Sequence, residues 1–156
     1  MGDWASTERI SAEIALADQA RLSGELHVQG RVAHHDGAET PLEMLNRPDP
    51  FFPLTVEDGK VAFLAKAQVA VVACAPYLGQ SDPERVSAAK TIALEIVMAG
   101  GEEFRGWATL ELPPTRARTL DYLNAAGTFF SLHGEDATRF INRAFVRVVR
   151  PLDQAK

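Results

Sequence analysis

Two stretches of the chain are alike and decide its fold: PLEMLNRPDPFFPL at residues 41–54 and TLDYLNAAGTFFSL at residues 119–132. Six positions in them are identical at one constant spacing of 78 residues. These are the pairs Leu42/Leu120, Leu45/Leu123, Asn46/Asn124, Phe51/Phe129, Phe52/Phe130 and Leu54/Leu132. Self-similarity at a fixed spacing indicates a repeated structural unit.

The similarity continues on both sides of these stretches. Downstream, at a spacing of 77, the matches are Phe63/Phe140, Lys66/Arg143, Ala67/Ala144, Val69/Val146, Val71/Val148 and Val72/Val149. Upstream, at a spacing of 82, they are Glu13/Glu95, Ile14/Ile96, Ala17/Ala99 and Gly24/Gly106. Three blocks in the same order predict two copies of one module, residues 1–78 and 79–156. A linker is predicted at about 75–90, where Pro76, Gly79 and Pro83 favour turns.

Each copy opens with apolar residues at every second position, which indicates strands with one buried face. The alternation is interrupted at residues 18–20 and 100–102, so we expect a β-hairpin in each copy. Gly24 and Gly106 stand on the buried parity, where a large side chain is expected. A glycine at such a strand position predicts a bend or a close approach of another backbone.

A short helix and further strands are expected next. Thr40 and Thr119 are predicted helix N-caps, and Asn46 and Asn124 are predicted to end the helices in the left-handed conformation. In the following strand two adjacent phenylalanines must point to opposite faces. One phenylalanine of each pair is therefore expected in the core, and the other is expected to be exposed in both copies. Two last strands are predicted at residues 61–65 and 69–73, and again at 138–141 and 145–150.

The predicted element order is β-β-α-β-β-β in each copy, so the fold class is mainly β with short helices. The segment IALADQARLSGELHV, through Leu22, Gly24 and Leu26, resembles the opening of Sm-like barrels. That resemblance implies two five-stranded SH3-like or Sm-like barrels in tandem, which we expect to pack by a pseudo-twofold axis. The loop with which Sm proteins read RNA is replaced here by LEMLN. The whole pattern of L-x-x-LN followed by FF-x-L resembles bacterial proteins with domains of unknown function, which implies a bacterial setting and no activity.

The amino-acid composition indicates the class of protein and its cellular compartment. The chain of 156 residues is 46% hydrophobic and 24% charged, as is usual for a globular protein. It has one cysteine, which fits a reducing compartment. No apolar run reaches the roughly 20 residues of a membrane helix, and the first residues do not resemble a secretory signal. We therefore expect a cytoplasmic protein, as a monomer or a homodimer. Its net charge of −5 resides entirely in residues 1–78, which disfavours nucleic-acid binding.

Few residues could carry chemistry. His34, His35 and Asp36, with His27 nearby, are residue types that bind metals, but no further ligand follows at a metal-binding spacing. Cys74 could act as a nucleophile beside a histidine, but a buried thiol is expected. Glu13 and Glu95 could act as an acid–base pair, but their outward parity favours solvation or a cross-strand pair with an arginine. We therefore predict no catalytic residue, no cofactor-binding residue, no metal ligand and no cofactor.

Three functions stay open at this point. The first is a non-enzymatic protein-interaction or scaffold module, which binds a protein partner through an exposed strand edge or a groove between the modules. The second is nucleic-acid binding by the arginines Arg139, Arg143, Arg147 and Arg150, with an affinity that falls steeply with salt. The third is binding of a small ligand or a metal at the loop of His34 and His35.

Overall fold

The computed structural model describes residues 7–29, 40–76, 90–110, 119–125 and 127–152. The chain divides into two compact units, Met1–Cys74 and Ala75–Lys156. The described residues form ten antiparallel strands and two short helices, so the prediction of a mainly β fold is confirmed. Neither helix in the described part of the chain has the length and the apolar content needed to cross a membrane. The predicted linker lies largely outside the described residues, as does the predicted boundary at residues 78 and 79.

The first unit contains five strands and one helix. They are β1 (Thr7–Leu16), β2 (Arg21–Gln29), α1 (Pro41–Leu45), β3 (Phe51–Val56), β4 (Val61–Ala65) and β5 (Val69–Cys74). A 3-10 turn at Lys66–Gln68 connects β4 to β5. Hydrogen bonding arranges the strands of this unit in the order β5-β1-β2-β3-β4.

The second unit has the same sequence of elements. They are β6 (Lys90–Met98), β7 (Glu103–Leu110), α2 (Thr119–Ala125), β8 (Phe129–His133), β9 (Thr138–Asn142) and β10 (Val146–Pro151). A 3-10 turn at Arg143–Phe145 lies between β9 and β10. The strand order is β10-β6-β7-β8-β9, which corresponds strand for strand to the first unit. In neither unit do the described residues pair the first strand of this order with the last, so closure into barrels stays a prediction.

Alternate residues of the strands supply the core of each unit, as the period-two pattern predicts. In the first unit the fully buried apolar residues include Ile14, Leu26, Val28, Phe52, Leu54 and Val72. In the second unit they include Leu94, Ile96, Met98, Ala108, Phe130, Leu132 and Ile141. Phe52 and Phe130 are both 2% exposed, so the second phenylalanine of each pair enters the core as expected.

The two strand glycines are sites of close backbone approach, as predicted. A Cβ atom on Gly24 would lie 2.4 Å from the carbonyl oxygen of Thr55, and one on Gly106 would lie 2.2 Å from that of His133. In both units the obstructing atom belongs to the backbone of the neighbouring strand, β3 or β8, which cannot give way as a flexible side chain would. Only glycine fits at these two positions without moving the strand.

The two helices begin differently. Thr40 is the N-cap of α1: its hydroxyl accepts a hydrogen bond from the Glu43 amide, and the Glu43 carboxylate accepts one from the Thr40 amide. This reciprocal arrangement is the predicted capping box. Thr119 is instead the first residue of α2. Its prediction as an N-cap is therefore wrong, and the residue before it lies outside the described part of the chain.

The helices also end differently from the prediction. Asn46 is the C-cap of α1, but its φ is −92°, so it does not adopt the left-handed conformation. Asn124 lies within α2 rather than after it. In the first unit a basic side chain of the 3-10 turn binds the end of the helix instead. The Lys66 ammonium group donates hydrogen bonds to the carbonyls of Met44 and Arg47, both at 3.0 Å. The carbonyls at the helix end therefore have partners without a left-handed residue.

Arg143 performs the same task in the second unit. Its guanidinium group donates to the carbonyl of Leu123 at 3.0 Å and to that of Asn124 at 3.4 Å. A positive charge at a helix C-terminus also interacts favourably with the helix dipole. The match of Lys66 with Arg143 in the sequence thus corresponds to a shared structural role.

Candidate interaction surface

The outward face of the β3–β4 hairpin is apolar. Pro53 is paired with Phe63, Phe51 with Ala65 and Thr55 with Val61. Since alternate residues of a strand share a face, Phe51 and Pro53 lie beside Val61 and Phe63. Phe51 is 56% exposed, Val61 42% and Phe63 63%. We call these four residues the β3–β4 apolar face.

The β3–β4 apolar face borders a strand edge. In the first unit β4 stands last in the strand order, with β3 as its hydrogen-bonded neighbour within that unit. The outer side of such a strand presents backbone N–H and C=O groups that another strand can pair with. Exposed aromatic residues beside an edge of this kind are typical of a site of protein–protein contact.

The corresponding face of the second unit is buried. Its hairpin β8–β9 has the same register, with Phe129 opposite Asn142 and Ser131 opposite Phe140. Phe129 is 1% exposed and Phe140 5%, whereas their counterparts Phe51 and Phe63 are more than half exposed. The prediction of an exposed phenylalanine in both copies is therefore wrong for Phe129. Alternation within one strand shows which residues share a face, but not what lies against that face.

The second unit contains a row of charged residues across three strands. Glu95 of β6 stands opposite Arg105 of β7 and Arg150 of β10 in the ladders. Its carboxylate accepts hydrogen bonds from Arg105 Nε at 3.1 Å and from Arg150 Nη1 at 3.0 Å. These two hydrogen bonds lower the pKa of Glu95. The cross-strand pairing with arginine that the sequence favours is confirmed for this residue, although its side chain is buried rather than solvated.

Glu13 does not share this environment. It is exposed, and it stands opposite Ser23 of β2 and Ala73 of β5. The two glutamates match in sequence, but only Glu95 has arginines on both neighbouring strands. The two glutamates lie in different units of the chain.

The four arginines of the predicted basic surface have separate roles. Arg139 of β9 stacks over the ring of Phe104, with its guanidinium carbon 4.7 Å from the ring centre. Arg143 binds the end of α2, and Arg150 binds Glu95. Arg147 lies exposed on β10. Structural contacts within the second unit thus already engage three of these side chains.

The histidines are only partly described. His34, His35 and Asp36 lie outside the described residues. His27 is buried in β2, and its Nε2 atom shares a hydrogen bond of 2.7 Å with the hydroxyl of Thr55. Burial, followed by the positive charge of Arg9, lowers the pKa of His27. Within the described ranges no three His, Cys, Asp or Glu side chains are grouped so that they could hold a metal ion.

Cys74 is a buried thiol at the end of β5. Burial raises its pKa to about 11. Since the thiolate is the nucleophilic form of cysteine, burial disfavours nucleophilic attack by this thiol. The environment of Cys74 is that of a small core residue.

The comparisons with known proteins give no family. No protein-family model, no curated protein and no solved structure matches the chain.

The exposure of Phe63 was not predicted from the sequence. Phe63 is recognisable there only as a match to Phe140, and its exposure becomes visible once β4 is placed at the end of the strand order. A partial signal was present, because Phe63 and Leu64 are adjacent in a strand and must face opposite sides. Leu64 is the buried one.

Proposed function

We propose that this chain is a non-enzymatic protein-interaction module that binds an extended polypeptide segment along β4. One observation carries the proposal, namely the β3–β4 apolar face beside a strand edge. A bound strand would pair with the backbone of β4 and would cover Phe51 and Phe63. Such strand addition derives affinity from main-chain hydrogen bonds and specificity from the side-chain contacts.

Burial of its aromatic side chains favours occupation of the β3–β4 apolar face. Complete burial of one phenylalanine side chain is worth about 1.5–3 kcal/mol. Phe51 and Phe63 expose more than half of their surface, and Val61 adds to the same patch. Aromatic residues at the centre of an interface supply a large part of its binding energy. Burial of this face in a complex is therefore more favourable than its exposure to water.

The charged side chains of the described residues support a role without catalysis. Lys66 and Arg143 bind helix ends, and Glu95 is held between two arginines. The alternative of nucleic-acid binding by the arginine row is less favoured, because structural contacts already engage three of the four side chains.

We further propose that the two units are copies of one small barrel. The support lies in their common element order, their matching ladders and the glycine that meets a neighbouring carbonyl in each. A module of this size buries only about 60% of the surface of its chain and is marginally stable alone.

Site-specific photo-crosslinking tests the proposed function. A photoreactive phenylalanine derivative replaces Phe63 in one variant and Leu120 in a control, because both side chains are 63% exposed apolar residues. We expect a discrete protein adduct at position 63 in host cells, and we expect it to be lost when Phe51→Lys is added. Equal labelling at both positions, or no adduct at position 63, would overturn the proposal.

A further inference from the structure

Each unit has two edge strands, which occupy opposite ends of its strand order. In the first unit these are β5 and β4, and in the second unit they are their counterparts β10 and β9. If the units are equivalent modules, β4 and β9 offer one type of edge, and β5 and β10 offer the other.

One edge of each type is buried and the other is not. Every residue of β9 except Arg139 is buried, whereas Val61 and Phe63 of β4 are exposed. Likewise every residue of β5 except Ala73 is buried. None of the residues of β10 is buried, and its valines Val146, Val148 and Val149 remain half-exposed.

The two edges at which the described residues leave side chains exposed are complementary. The turn that leads into β4 carries the exposed acidic residue Glu57, and β10 carries the exposed basic residue Arg147. Asp58 already pairs with Lys60 of the same turn, and Arg150 already pairs with Glu95. Both edges also offer apolar side chains, the phenylalanines beside β4 and the valines of β10. Opposite charges on two surfaces guide their encounter and favour one partner over others.

We propose that the polypeptide bound by β4 is the β10 edge of a second copy of this chain, which pairs with it antiparallel. This inference rests on the proposed function, and it names the partner. The contact is heterologous, because the two surfaces that meet are different patches of the same molecule. A pair of copies joined in this way therefore keeps one unused β4 edge and one unused β10 edge, and assembly proceeds head to tail until a ring closes or a filament grows.

Complementation between blocked variants tests this arrangement. Phe63→Lys places a charge on the β4 edge, and Val148→Lys places one on the β10 edge. Light scattering coupled to size-exclusion chromatography gives the mass of each variant and of the mixture. We expect the wild type to form species larger than a monomer, with each variant associating at least tenfold more weakly. The equimolar mixture should form a 1:1 heterodimer, since it contains one intact edge of each type.

Two controls keep the outcome interpretable. Val148 is half-buried, so Arg147→Glu, at an exposed position, serves as a second block of the β10 edge, and Phe51→Lys serves as a second block of the β4 edge. The urea midpoint of each variant shows whether it folds. A Val148→Lys or Arg147→Glu variant that assembles like the wild type, or a mixture that stays monomeric, contradicts the head-to-tail contact.

The inference and the proposed function fail separately. A wild-type chain that stays monomeric at all concentrations, with a specific adduct to another protein at position 63, overturns the second copy as partner and leaves the interaction surface standing. A monomeric chain without any adduct at position 63 overturns both.

Discussion

Gly106 lies so close to His133 that a Cβ atom on the glycine would stand 2.2 Å from the carbonyl oxygen of the histidine. Gly24 has the same relation to Thr55 in the first unit, at 2.4 Å. Each glycine therefore allows two neighbouring strands to approach at a point where any side chain would separate them.

Alanine at either glycine should destabilise its unit. The added methyl group would force the backbone of β3 or β8 to move, and overpacking of this kind costs about 1–3 kcal/mol. Urea unfolding of Gly24→Ala and Gly106→Ala measures the loss of free energy of unfolding. Ser23→Ala, at an exposed position next to Gly24, should change it little. Equal midpoints for Gly24→Ala and Ser23→Ala would show that β3 gives way freely.

The turns of the first hairpins differ in a way that allows a reciprocal test. Gln19 has a φ of +76°, and Gly101 has a φ of +95° at the matching position of the second unit. A side chain in this left-handed region costs roughly 1–2 kcal/mol, which the entropy that glycine loses on folding partly offsets. Gln19→Gly should therefore stabilise the protein by up to about 1 kcal/mol, and Gly101→Gln should destabilise it by a similar amount. The midpoint of thermal unfolding should rise for Gln19→Gly and fall for Gly101→Gln. Shifts of both midpoints in the same direction would contradict this account.

Lys66, which binds the C-terminal end of α1, should contribute more to the free energy of unfolding than its counterpart Arg143 in the second unit. Lys66 is buried, so methionine at this position would remove its hydrogen bonds to the carbonyls of Met44 and Arg47, of which the Met44 carbonyl still accepts one from the Arg47 amide. A buried polar group that loses its partner costs about 1–3 kcal/mol. Arg143 is exposed, and water can replace its hydrogen bonds in Arg143→Met. We expect the urea midpoint to fall further for Lys66→Met than for Arg143→Met, and the reverse order would contradict the argument.

His27 should make stability depend on pH. Its pKa in the folded protein is below the ordinary value of 6.5, because burial and the nearby Arg9 disfavour the charged ring. Above pH 6.5 the ring is neutral in both the folded and the unfolded chain, so the contribution is fully present. As the pH falls below 6.5 the unfolded chain takes up a proton first, and the free energy of unfolding decreases until the folded pKa is passed.

Glutamine at this position should flatten that dependence. His27→Gln keeps a side chain that can hydrogen-bond to Thr55 but does not titrate. We expect the wild type to lose more stability than the variant between pH 7.5 and pH 5.5, measured as the free energy of unfolding in urea. Burial also lowers the pKa of His133, so His133→Gln should flatten the curve independently. Parallel curves for the wild type and His27→Gln would rule out a role for this ring.

The features that depend on short-range sequence pattern could be predicted. The capping box of Thr40 and Glu43, the hairpins and the two strand glycines all follow from residue type and spacing within a few positions. Lys66 and Arg143 could not be assigned, because each reaches a helix some 20 residues earlier in the chain. The left-handed ending expected at Asn46 failed for the same reason, since Lys66 provides a partner that no local rule includes.

Only part of the candidate surface could be predicted from the sequence. The sequence favours an exposed strand edge as a binding site and predicts one exposed phenylalanine in each copy. It does not distinguish Phe51 from Phe129, because both occupy the same place in the same pattern. Their burial differs so widely because exposure depends on what covers a strand, and this is a property of tertiary structure.

The paired arginines of Glu95 permit a last prediction with an internal control. Glu95→Gln removes the charge that holds Arg105 and Arg150 in place across β6. Both guanidinium groups are well exposed, so water can solvate them again, and the loss should be modest rather than disruptive. Glu13→Gln at the matching position has no arginine opposite it and should be close to neutral. We expect a lower urea midpoint for Glu95→Gln than for Glu13→Gln at pH 7.

Acid should remove this difference. The pKa of Glu95 in the folded protein is below its ordinary value of 4.5, so its stabilising contribution is present above pH 4.5 and is lost as the pH falls through the folded pKa. Salt should weaken the pair as well, because the arginines are open to solvent and are screened. The midpoints of Glu95→Gln and Glu13→Gln should therefore converge in acid or in 1 M salt. A gap that persists under both conditions would mean that Glu95 stabilises β6 by packing rather than by its charge.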